Sequence, residues 1–69
     1  TAKEFDLLLL FAQNKNIVLC RDRIFERVWN EEYLGDSRTV DLHIQRMRKK
    51  LGLEDRLVAV YKVGYRLEG

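Results

Sequence analysis

Sixty-nine residues with 13 Lys and Arg against 11 Asp and Glu, one Cys, one His and no Pro leave room for one small domain and no more. A lone Cys forms no internal disulfide, and one Cys with one His is too few to ligate a metal, so no metal and no cofactor is expected. The apolar run 7–12 is far shorter than the roughly 20 residues of a membrane span, no leader pattern opens the chain, and no Gly-rich loop is present, which points to a soluble cytoplasmic protein that is not an enzyme.

Thr1 and Glu4 have capping-box spacing, so a helix is expected over 2–13. Phe5, Leu8, Leu9 and Ala12 fall at helical spacing and are assigned to the core. Leu7, Leu10 and Phe11 make a second apolar stripe, expected to be exposed or covered by a neighbouring chain. Ile17 to Leu19 is a short β-branched stretch. A second helix is expected over 21–29, with Ile24, Phe25, Val28 and Trp29 as its apolar positions. Cys20 stands where a Ser or Thr cap would be ideal. Its thiol is a weak acceptor, so packing must hold that helix start, and burial is the expected fate of the thiol itself.

The polar link 30–36 leads to Asp36 and Ser37, two N-cap candidates for a third helix over 38–51 that Gly52 terminates. After the connector 53–56, two β-rich pieces joined through Lys62, Val63 and Gly64 predict a hairpin, with Gly64 free to take a positive φ. Three helices and a C-terminal hairpin make a mainly α fold with a small β-hairpin, a winged helix-turn-helix over 1–69.

Charge is uneven along this plan. Residues 1–35 carry a net −1 and residues 36–69 a net +3, and the segment 38–50 alone carries +4. A local basic face suits a polyanion; the alternative is an ordinary solvated helix face. In the third helix Val40, Ile44, Met47 and Leu51 define the buried stripe, and Arg38, Leu42, Gln45 and Lys49 point the opposite way. Thr39, His43, Arg46 and Lys50 lie on one flank, Asp41 and Arg48 on the other.

That inventory matches what a DNA major groove asks for. Arg46 pairs with guanine, Gln45 with adenine, and Leu42 and the Thr39 methyl pack on a thymine methyl. Arg38, Arg48, Lys49 and Lys50 are assigned to phosphates, where point charge gives affinity without sequence information. His43 is either a backbone donor or simply solvated. Asp41, which would repel phosphates, is assigned to orienting its neighbours within the helix.

The string 37–51 followed by Val63, Gly64, Tyr65, Arg66 and Leu67 resembles the DNA-binding domain of OmpR/PhoB-type response regulators. Residues 1–8 together with Val28 and Trp29 are similar to that family's first and second helices. The resemblance implies a transcription factor governed by a receiver domain that a sensor histidine kinase phosphorylates. It also implies binding to double-stranded DNA as head-to-tail copies on direct repeats. By the same resemblance Arg21, Trp29, Arg38, Arg48 and Tyr65 contact the backbone, and Glu31, Glu32 and Tyr33 belong to a loop able to touch RNA polymerase.

Two departures concern the wing, where Tyr61 and Lys62 stand in place of the family's Arg and Gly; Lys62 is a candidate replacement charge. The family's N-terminal antiparallel sheet is lacking, so the chain is expected to be a domain truncated at its N-terminus and without the receiver. The rival from another class is a protein-interaction module on the same fold, since fold alone does not decide function. Nonspecific RNA binding is weaker, because single-strand recognition wants exposed aromatic platforms.

Overall fold

Each helix buries one stripe against a common centre, and a short sheet closes the open side. In chain order the elements are α1 (Ala2–Gln13), β1 (Leu19–Cys20), α2 (Arg21–Trp29), α3 (Arg38–Leu51), β2 (Leu57–Val60) and β3 (Gly64–Leu67). This is a computed structural model that describes residues 2–31, 33, 35 and 38–69. The expected caps Thr1, Asp36 and Ser37, the loop residue Leu34 and the candidate Glu32 lie outside them.

The helix bounds match those read from periodicity and capping residues, and the winged helix-turn-helix is present. Gly52 ends α3 at φ 66, and the Leu53 N–H donates to the Arg48 carbonyl at 2.8 Å, closing the last turn. Cys20 occupies the N-cap of α2 without a side-chain cap bond, as expected, but its thiol is exposed, against the expected burial. Asn30, at φ 60, supplies the left-handed stop of α2 and donates its N–H to the Glu26 carbonyl.

The inward face of α1 is the reverse of the one predicted. Leu7, Leu10 and Phe11 are buried among α2, α3 and β3, while Phe5 is 64% exposed, Leu9 46% exposed, Ala12 exposed and Leu8 half-buried. Because this helix is apolar on more than one side, period alone does not choose a face; the elements packed on it do. Leu51 is a second correction. The fully buried stripe of α3 is Val40, Ile44 and Met47, and Leu51, in the helix's last turn, lies 48% exposed beside Phe5 and Leu8.

The sheet has three strands in the order β1-β3-β2, all antiparallel, one more than the predicted hairpin. β1 pairs Leu19 with Tyr65 and Cys20 with Gly64, so the entry to α2 is fastened to the wing. Gly64 does not take a positive φ. Its role is close approach: a Cβ there would lie 2.0 Å from the Leu19 carbonyl oxygen. The left-handed residue of the hairpin turn is Lys62, at φ 61, with the Val63 N–H bonded to the Val60 carbonyl.

Phe11→Ala should lower stability by about 3–5 kcal/mol and Phe5→Ala by no more than about 0.5 kcal/mol in urea unfolding. Equal losses would restore the predicted stripe. Gly64→Ala should cost about 3 kcal/mol or more, read as a depressed melting temperature, since neither backbone can retreat from the other. An unchanged melt would mean that β1 and β3 do not meet at that residue.

Candidate nucleic-acid interface

Packing of Val40, Ile44 and Met47 fixes the rotation of α3, and everything on its far side follows. Leu42 is 50% exposed, and Arg38, Gln45, Arg46 and Lys49 are exposed around it; Thr39 is half-buried at the helix start. The predicted base-reading residues Thr39, Leu42, Gln45 and Arg46 therefore share one accessible face. Leu42 stands out there as a large apolar side chain set among polar ones.

One flank of this face is built by three elements together. The Asp41 Oδ1 accepts from Arg21 Nε at 2.9 Å and from the Tyr65 hydroxyl at 2.6 Å, and the Arg21 guanidinium sits 5.2 Å from the Tyr65 ring centroid. Asp41 thus orients partners in α2 and β3 rather than, as expected, its neighbours within α3. Sequence separations of 20 and 24 residues put those partners beyond any helical spacing argument. The bond from Asp41 raises the Arg21 pKa, and burial first, then the same carboxylate, raises that of Tyr65. Tyr65 is 3% exposed, with its hydroxyl turned to Asp41.

The other flank is aromatic. Trp29 stacks on Phe25 at 5.2 Å, and the His43 ring stands edge-on to Trp29 at 5.0 Å. His43 Nδ1 lies 2.8 Å from the Thr39 carbonyl, which only accepts, so Nδ1 carries the proton and Nε2 is the remaining nitrogen. His43 is half-buried rather than merely solvated. Lys3, which the sequence did not single out, donates to the Val28 carbonyl at 3.0 Å and lies 5.6 Å from the Trp29 ring.

Two predicted phosphate partners are engaged elsewhere. Lys50 pairs with Glu4 of α1 at 3.2 Å, and Arg48 donates to the Glu54 carbonyl at 3.3 Å in the connector. At the wing tip Tyr61 is 84% exposed, with the Lys62 ammonium 5.4 Å from its ring centroid. Tyr33 meets Phe25 edge-on at 5.7 Å, and Glu31 is exposed.

The family described as "Transcriptional regulatory protein, C terminal" matches residues 1–67. The uncharacterized transcriptional regulatory protein YclJ of Bacillus subtilis is 49% identical over 70 residues, covering 99% of this chain and 31% of its own length. The heme response regulator HssR of Staphylococcus saprophyticus is 45% identical over 69 residues, covering 96% and 31%. The chain thus spans about a third of these curated relatives. Among solved structures, the Klebsiella pneumoniae RstA DNA-binding domain in complex with the RstA box superposes with a TM-score of 0.90 at 29% identity, covering 99% of this chain and 71% of that one.

Tyr65 links stability to alkaline pH. Its folded pKa lies above the ordinary value of 10.0, so the stability it adds is complete below that value and is lost as pH rises through the folded pKa. Urea unfolding across that range should show wild type losing stability relative to Tyr65→Phe. Parallel curves for the two proteins would exclude the buried hydroxyl as the cause.

Proposed function

Because the chain belongs to the OmpR/PhoB-type family of C-terminal domains of transcriptional regulatory proteins, we propose that it binds double-stranded DNA sequence-specifically, with α3 in the major groove and the hairpin 57–67 as the wing. The observation that carries this reading is the division of α3: Val40, Ile44 and Met47 wholly buried, Leu42, Gln45 and Arg46 outward. The RstA domain, so close in fold, is a domain in complex with its DNA box.

In this reading Thr39, Leu42, Gln45 and Arg46 meet base edges, and Arg21, Arg38, His43 and Lys49 meet phosphates. Arg48 and Lys50 contribute charge from the margins, each having a protein partner, and Trp29 and Tyr65 act mainly by holding His43 and Arg21. Tyr61 and Lys62 carry the wing contact. The whole regulator is cytoplasmic, is switched through a receiver by a sensor histidine kinase, and binds as two copies on direct repeats. Glu31 and Tyr33, with Glu32, face RNA polymerase. The exposed Phe5 and Leu9 support the reading that a further part of the domain, the family's N-terminal sheet, covers α1.

On a duplex selected from a random library, Arg46→Ala should cost about 1–3 kcal/mol and relax base preference, whereas Lys49→Ala should weaken all sequences alike and flatten the salt dependence. Equal losses for Arg46→Ala on selected and random duplexes would remove it from the base readers. Absence of duplex binding even at low salt would favour the protein-interaction reading, with α3 as the docking element, since the stripe around Phe11 is buried.

A further inference from the structure

Asp41 is the only acidic residue of α3, on a helix whose outward side is otherwise cationic or neutral. A carboxylate beside the proposed DNA surface repels phosphates, so by charge alone its removal should tighten binding. The geometry gives the opposite expectation. Asp41 Oδ1 takes Arg21 through Nε, and the Tyr65 side chain also engages the guanidinium. The fork is thereby held at one angle, with the Tyr65 ring beneath it and the Tyr65 hydroxyl on the same carboxylate oxygen. An arginine fixed in this way loses less rotamer freedom when it closes on a phosphate.

We propose that Asp41 is a positioning residue for DNA binding: its accepting oxygen aims the Arg21 guanidinium at a backbone phosphate, and the chain binds DNA more tightly with this side chain in place than with it truncated. The proposal rests on the reading of Arg21 as a phosphate contact. The sheet contributes, because β1 pairing at Gly64 sets Arg21 next to Tyr65.

Binding of the chain to a random-sequence duplex, followed by fluorescence anisotropy over a salt series, tests it. Asp41→Ala should bind about tenfold more weakly and lose about 0.9 from the slope of log K against log salt, the share of one phosphate, just as Arg21→Ala does. Asp41→Asn, which keeps an accepting oxygen, should recover most of that loss. Arg21→Ala/Asp41→Ala should bind like Arg21→Ala alone. A merely structural role for Asp41 would lower affinity without removing one phosphate's share from the slope, and Asp41→Asn would not restore it.

Asp41→Ala binding as tightly as wild type with its slope intact, fully additive losses in the double variant, or Asp41→Asn as weak as Asp41→Ala would each overturn the proposal. Arg21→Ala with unchanged affinity and slope would instead overturn the phosphate assignment of Arg21 on which it rests.

Discussion

The pairing of Leu19 and Cys20 with Tyr65 and Gly64 is the constraint on which the remaining geometry depends. It joins a two-residue strand to the hairpin and so makes the wing continuous with the entry to α2. Without a side chain at position 64 the Leu19 carbonyl reaches the β3 backbone. Once that approach is made, Arg21, the first residue of α2, lies on the Tyr65 ring, and Asp41 of α3 closes the arrangement from a third element. Backbone pairing thus places a polar cluster that no single helix assembles alone.

The core gives α3 its two characters. Val40, Ile44 and Met47 are fully buried, with Leu7, Phe11, Ile24 and Leu57 among the side chains of the same cluster. Burying aliphatic and aromatic side chains of this size is worth about 1.5–3 kcal/mol each, ample to fix one rotation of the helix. Leu42, Gln45 and Arg46 are left outward by that rotation rather than by any interaction of their own. Under the proposed DNA-binding reading, recognition by this chain therefore depends on packing as much as on the outward residues of α3.

The helix limits and the orientation of α3 were legible before any coordinates because they rest on local rules: a 3.6-residue period, a glycine stop, and one clearly apolar stripe. Leu51 shows the limit of that period, since in the last turn the periodic position lies half-exposed at the edge of the core. The face of α1 was not legible, because Phe5 and Leu9 are as apolar as Leu7 and Phe11 and only the surrounding elements distinguish them. β1 is too short to alternate, so its existence depends on β3 being there to pair with. Asp41 was recognised as an orienting residue, yet its partners lie 20 and 24 positions away and meet it only in the fold.

At the turn of the hairpin, Lys62 holds a left-handed conformation in which its Cβ crowds the backbone, at a cost of about 1 kcal/mol that glycine would not incur. β2 is an edge strand, bonded on one side only. The apex carrying Tyr61 and Lys62 is closed by the Val63 amide on the Val60 carbonyl, while the opposite end is joined to the rest of the chain by the Glu68 amide on the Arg56 carbonyl and the Asn16 amide on the Leu67 carbonyl. The hairpin thus has a root tied to its surroundings and a tip held by its own turn.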